Sequence, residues 1–336
     1  MPTDIADYIR RLPKAELHIH IEGSLEPEMM FALAASHGIR LPYQDVAAVR
    51  RAYEFHNLQE FLDIYYAGAA VLIERADFRA LMFAYLKRAH ADGVVHSEIF
   101  FDPQTHTARG IPIGTVIEGL ADGMAEGRRA FGITTGLILC FLRHLPEEDA
   151  FKTLDAAMPY RPLFAGVGLD SSEVGHPPSK FARVFARARE LGLHVVAHAG
   201  EEGPPAYVYE ALDLLKTERI DHGVRSEADG ALMARLKKTQ MPLTVCPLSN
   251  VKLAVFKRAA DHNLKRMLDA GLMVMVNSDD PAYFGGYVLD NYLAMARALK
   301  LDRSDLKRLA ANSITASFLP EAQKRDWLAR IEAVNA

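Results

Sequence analysis

LHVVAHAGEEGPPAYVYEALDLLKTERIDHG, residues 193–223, is the stretch that decides the fold. It opens with an apolar, β-rich run (193–200) that ends in a glycine and two glutamates. After two prolines, Val208, Ala211, Leu212 and Leu215 recur at i, i+3, i+4 and i+7, the spacing of one helix face. A second short β-rich run, RIDHG (219–223), follows, so the segment reads strand, helix, strand. Moving towards the C-terminus, PLTVCPLSN (242–250) and LMVMVNSDD (272–280) repeat the form. Between them and residue 223, Ser226 with Asp229 predicts a capping-box start for a helix through Leu232, Met233 and Leu236. Towards the N-terminus the same runs are AELHIH (15–20), VVHSEIFFD (94–102), ITTGLILCF (133–141) and FAGVGLD (164–170). Eight strands alternating with helices predict an α/β fold, a TIM (β/α)8 barrel.

Residues 24–93 are too long for a simple βα connection and read as inserted helices over the barrel mouth, among them LQEFLDIYYAGAAVLI (58–73). Leu306, Leu309, Ala310 and Ser313, then Trp327, Leu328 and Ile331, predict helices packed outside the barrel. No repeat, low-complexity tract or long linker divides the chain, so a single domain over residues 1–336 is expected. Half of the 336 residues are hydrophobic and 24% are charged, an ordinary globular composition that excludes a fibrous or disordered chain. Lys and Arg total 39 against 43 Asp and Glu, without a polybasic run. That balance argues against nucleic acid or an anionic membrane as partner and favours a small molecule. Cys140 and Cys246 are far apart and outside any C-x-x-C, so neither a disulfide framework nor a thiolate zinc site is expected. The opening MPTDIADYIRRLPK is unlike a signal peptide, and no run approaches the roughly 18 apolar residues of a membrane span. The expectation is a cytoplasmic protein in a reducing compartment; oligomeric state is not legible.

In such a barrel, reactive side chains sit at the C-terminal ends of strands. The first run closes with His18-Ile19-His20, the fifth with His198, the sixth with His222 and the eighth with Asp279-Asp280. Strand alternation turns His18 and His20 to one face, with the separation a shared metal needs. Two histidines in one strand are also common in cores and on surfaces, but His198 and Asp279 at matching strand ends favour a centre. Three imidazoles and one carboxylate leave a position for water and suit Zn²⁺, other divalent transition metals being possible. Glu201, three residues past His198, has a general acid's position, or is a carboxylate at a helix N-terminus. His222 either ligates the metal or acts beside it. Asp280 either caps a helix beginning at Pro281 or hydrogen-bonds substrate. His194 is expected to be structural. His56, His90, His106, His144 and His262, without a partner at metal spacing, are expected to be exposed. Cys246 reads as a small buried residue, and Glu98 and Asp102 as hydrogen-bonders facing the mouth.

The motifs LHIHIEG (17–23), HAGE (198–201), DHG (221–223), CPLSN (246–250) and NSDDP (277–281), in this order, resemble those of the adenosine and adenine deaminases among the metal-dependent amidohydrolase barrels. The resemblance spans most of the chain. It implies that His18, His20, His198 and Asp279 hold one zinc per subunit, and that Glu201 gives a proton to the purine ring nitrogen beside the reacting carbon. It further implies that His222 orients the nucleophile and that Asp280 hydrogen-bonds the purine. Zinc lowers the pKa of a bound water to roughly 7, so attack on the amino-bearing carbon at neutral pH would release ammonia.

Two departures from the adenosine-acting pattern bear on substrate. Glu22-Gly23 stands where Asp-Gly is typical, and Asp170-Ser171-Ser172-Glu173 places larger polar side chains where a glycine lies near the base. Both resemble the branch that acts on the free base, as do VGLDSSE with GHPP, DDPAYFGGY (279–287), Ser24 and residues 55–63. The expected reaction is hydrolytic deamination of adenine to hypoxanthine and ammonia in purine salvage. Adenosine and N6-substituted adenines are the alternatives. A non-catalytic purine-binding protein would lack a ligand or the proton donor, and none is missing here. The cytosine-type zinc deaminases need H-x-E with P-C-x-x-C, and neither occurs.

Overall fold

The computed structural model describes residues 5–55 and 57–334. His56 lies outside the described residues. Eight strands form one sheet in sequential order: β1 (Lys14–Glu16), β2 (Val94–Phe101), β3 (Thr134–Leu142), β4 (Gly166–Asp170), β5 (His194–Ala199), β6 (Arg219–His222), β7 (Leu243–Val245) and β8 (Val274–Val276). Every neighbouring pair is parallel. The eighth strand returns to the first through a parallel bridge between Ile19 and Asp279. Two backbone bonds make that seam: His20 N donates to Asp279 O at 2.9 Å and Asp279 N to His18 O at 3.1 Å. The chain is therefore the expected α/β barrel.

Several runs are shorter as strands than their apolar length suggests. β1 ends at Glu16, and beyond it only Ile19 and His20 make isolated bridges. β7 ends at Val245 because Pro247 begins a short helix, Pro247–Lys252, as proline at a first helical position does. The helix after β6 starts later than predicted. Asp229, not Ser226, is its cap, accepting from the backbone of Ala231 and Leu232, and Gly230–Thr239 is the helix.

Between β1 and β2 the described residues form four α-helices. Pro27–Ser36, Val46–Ala52 and Leu58–Gly68 form the insertion, whereas Arg75–Ala91 packs along Ile113–Phe131 in the barrel's outer layer. That contact is close because Gly123 has no Cβ; one added there would lie 2.6 Å from Arg79 O and from the Met82 Cβ. The helix Arg303–Ala316 covers the seam, where Ala15 N donates to Ser313 Oγ (2.9 Å) and Asn312 to Val274 O (2.8 Å). Ile331, in the helix Glu321–Ala333, is fully buried, with Trp327 and Leu328 partly so. Inside the barrel Phe100, Ile138, Cys140 and Val196 form a small apolar cluster, and Phe100 lies under the histidines, 5.1 Å from the ring centroids of both His18 and His20. Among the described residues no helix is long and apolar enough to cross a membrane.

Candidate metal and catalytic site

The strand ends bring His18, His20, His198, His222, Glu201, Asp279 and Asp280 together in one buried cluster. Asp279 sits at its centre. Its Oδ1 is 3.1 Å from His18 Nε2 and 3.5 Å from His20 Nε2, and its Oδ2 is 3.8 Å from His222 Nε2. His20 Nε2 and His198 Nε2 face each other at 3.2 Å. Both His222 and Asp279 have positive φ, 64° and 65°, a costly conformation for residues other than glycine that re-aims their side chains into the barrel mouth.

The outer nitrogen of His18 shows where its proton lies. Thr244 Oγ1 donates its single hydrogen to Asp221 Oδ1 (2.9 Å), so it accepts from His18 Nδ1 at 3.0 Å. Asp221 Oδ2 is 3.4 Å from His198 Nδ1, and Asp170 Oδ2 is 3.5 Å from His20 Nδ1. With His18 protonated on Nδ1, its Nε2 points inward beside those of His20 and His198 and against a carboxylate. Lone pairs at such distances repel unless a cation lies between them, and nitrogen with oxygen donors is the set that zinc and other divalent transition metals take. His18, His198, His222 and Asp279 also form a group of mutually close ligand atoms, so proximity alone does not separate His20 from His222.

Glu201 reaches the cluster from the turn after β5. Glu173 shapes that turn: its Oε1 accepts from Gly200 N (2.6 Å) and its Oε2 from the backbone of Glu201 (3.0 Å), Glu202 and Gly203 (both 2.8 Å). Glu201 Oε2 lies 3.6 Å from His222 Nε2, and its Oε1 is buried without a partner. Burial, then the negative charges of Asp279, Glu173 and Glu202, push its carboxyl well above the usual range, which favours the protonated form. Asp280 is raised likewise by burial and by Asp279. Its side chain does not cap the helix Pro281–Phe284, and its Oδ1 has no partner. The capping role is thereby excluded, leaving Asp280 free to meet a ligand.

The cluster floors a cavity with some 390 Å³ of empty space, open solvent included. Leu58, Phe61, Leu62, Tyr65 and Tyr66 of the helix Leu58–Gly68 roof it, and Asp102, Asp170 and Ser171 make one wall. Tyr66 Oη and Ser171 Oγ are 2.9 Å apart, and Ser172 Oγ donates to Gln59 Oε1 at 2.9 Å, tying roof to wall. Burial raises the carboxyls of that wall, Asp170 to about 6 and Asp102 further.

Some expected placements fail. Glu22 is not in the cavity wall; His106 Nε2 (2.8 Å) and Asp102 N (3.2 Å) hold its carboxylate below. His106 is therefore fully buried, not exposed, and so is His262, which contacts Asn250. Glu98 does not face the mouth. It lies deeper, paired with Arg219 Nη1 at 2.5 Å and with His96 Nε2 at 3.0 Å. Asp102 does reach the mouth, where Tyr65 Oη donates to it at 3.1 Å. His90 and His144 are exposed as expected, His194 pairs with Glu218 and stacks on Phe318, and Cys246 is buried. Sequence reasoning missed Asp221, Thr244 and Asn250; Asp221 stands inside the DHG motif and Asn250 inside CPLSN, whereas Thr244 carries no signal of its own.

A family model described as adenosine deaminase matches residues 13–334. An adenine deaminase of Cupriavidus necator is 62% identical over 328 residues, covering 98% of this chain and 93% of its own. One from Caulobacter vibrioides is 61% identical over 335 residues, covering 100% and 97%. The crystal structure of the adenine deaminase from Arthrobacter aurescens superposes with a TM-score of 0.94 at 52% identity, over 95% of this chain and 98% of that one. An amidohydrolase from Burkholderia ambifaria, solved with bound Zn, gives a TM-score of 0.91 at 26% identity, over 99% and 94%.

Proposed function

This chain belongs to the adenosine deaminase family, is a metal-dependent hydrolase and deaminates adenine, and we propose that it does so with one zinc ion held by His18, His20, His198 and Asp279. The single observation carrying the metal assignment is the convergence of the three Nε2 atoms and Asp279 Oδ1. A zinc ion there supplies a nucleophile at neutral pH by lowering the pKa of a bound water to about 7.

The protein's own groups do the rest. Glu201, protonated on its unpartnered Oε1, gives a proton to the ring nitrogen beside the amino-bearing carbon, which makes that carbon the more electrophilic. Asp280, protonated too, donates a hydrogen bond to another purine nitrogen and fixes the ring in its plane. Tyr65, Phe61 and Phe284 cover the ring and exclude water. Ammonia leaves and hypoxanthine remains. Asp170 and Ser171, tied to the roof by Tyr66, occupy the wall where a sugar would need room, which supports the free base over adenosine. A cytoplasmic place in purine salvage follows from this reading.

The test is an ammonia-release assay with adenine, adenosine and N6-methyladenine on zinc-loaded and chelator-treated protein, beside Glu201→Gln. Adenine turnover lost with zinc and restored by it is expected. Glu201→Gln is expected to keep zinc and lose about 10²–10⁴-fold in kcat. Turnover of adenosine in preference to adenine would overturn the substrate, and full activity without transition metal would overturn the centre.

A further inference from the structure

His222 is the imidazole whose part the close packing of ligand atoms leaves open. Its protonation can be read from a backbone group 42 residues away. Leu264 N donates to His262 Nδ1 at 3.1 Å, and a backbone N–H cannot be anything but a donor, so Nδ1 carries a lone pair. The proton of the neutral His262 ring therefore sits on Nε2, which faces Asn250 Oδ1 at 3.3 Å. That fixes the amide's orientation, since the reverse would set two donors against each other. Asn250 Nδ2 then donates to His222 Nδ1 at 3.3 Å. A neutral His222 accepting at Nδ1 carries its proton on Nε2, the atom that faces Glu201 Oε2 and Asp279 Oδ2.

We infer that Asn250 and His262 are positioning residues for this reaction: the relay from Leu264 N through His262 and Asn250 holds His222 in the Nε2–H form that the role implied for it by the resemblance requires. The inference deepens the deaminase reading and rests on it only for the meaning of the donor. Three facts agree. His262 is buried, and burial lowers its imidazole to about 3, so the ring stays neutral. Phe256 packs on its face, with ring centroids 4.4 Å apart, and holds its plane. His18 is turned the other way, with its Nδ1 proton outward on Thr244 Oγ1, which gives its own hydrogen to Asp221. His18 and His222 thus differ, the first with its proton outward on Nδ1 and the second with its proton inward on Nε2. A proton at that place orients the attacking oxygen, whose lone pair must point at the purine carbon.

Nitrogen-15 histidine NMR of the zinc-loaded, unsubstituted protein reads the tautomers directly, with signals assigned by their loss in His222→Gln and His262→Gln. The expected spectrum has a protonated Nε2 and a bare Nδ1 for both rings. Asn250→Asp offers only acceptor oxygens, so His222 must move its proton to Nδ1. That variant is expected to keep its zinc and its KM for adenine while kcat falls on the order of 10²-fold. A zinc-bound or Nδ1-protonated His222 in the unsubstituted protein overturns the proposal. So does an Asn250→Asp protein whose His222 keeps its proton on Nε2, or one with the proton moved and kcat unchanged. Should Asn250→Asp not fold, the spectrum of the unsubstituted protein still decides between the two tautomers. Because that spectrum involves no substrate, its result is independent of whether adenine is the purine consumed.

Discussion

Gly23 has a neighbour that no other residue type would tolerate: a Cβ at this position would overlap the Asp280 carboxyl group. The backbone of the turn after the first strand is thus pressed directly against the group proposed to hold the purine. Gly23→Ala must displace Asp280, because the obstacle would be the short side chain and Cβ of an aspartate and not the far end of a flexible one. The expected result is a loss of about 10²-fold in kcat/KM for adenine with bound zinc unchanged, measured by ammonia release and metal analysis. At this scale the sequence shows well which strand-end side chains gather in the buried cluster, because a polar residue closing an apolar run is a local signal. It does not show Thr244, whose value lies in donating to Asp221 while accepting from His18, two strands and one seam away. His106 and His262 escape a sequence reading for the same reason. The absence of a metal-spaced partner in sequence says nothing about burial beside Glu22 or Asn250.

The roof helix Leu58–Gly68 begins at Asn57, whose Oδ1 accepts from Glu60 N at 2.9 Å. Its position over the cavity depends on two side-chain ties to the loop after β4, Tyr66 to Ser171 and Gln59 to Ser172. Tyr66→Phe removes one without changing ring volume. The hydrogen bond is worth about 1 kcal/mol, so kcat/KM for adenine is expected to fall about fivefold, mostly in KM, in steady-state assays. Substitution of Ser172 by Ala is expected to do less. Element boundaries are only partly legible. The run 242–250 contains three strand residues and then a helix, since Pro247 has the φ that opens a helix and lacks the N–H that a strand ladder would use. The insertion is legible as length, but its last helix belongs to the barrel's outer layer, a distinction that rests on packing against Ile113–Phe131.

Across the whole barrel, below the reactive end, Arg219 at the start of β6 meets Glu98 of β2, both fully buried. Burial alone would raise the Glu98 carboxyl, but Arg219, His96 and the backbone of Phe318 hold it at about 2. A carboxyl with a folded pKa below its ordinary 4.5 stabilises the fold above that value, and the contribution is lost as the pH falls from 4.5 towards 2. Thermal unfolding followed between pH 5 and pH 2 should therefore show a steep loss of Tm that is shallower in Glu98→Gln. At neutral pH, Arg219→Met, which strands a buried charge, should cost about 3–5 kcal/mol. The barrel itself is legible because eight runs alternating with helices admit few other closures. The sequence puts Glu98 at the mouth because alternation gives the face of a strand and not the depth along it.

The seam between His18 and Asp279 joins residues 261 positions apart. During synthesis at about 5–20 residues per second, the histidine pair emerges roughly 13–50 s before its carboxylate partner exists. In that interval the two imidazoles lack the carboxylate that faces them in the folded chain. The proposed metal site is accordingly completed only when barrel closure brings the remaining donors to that pair.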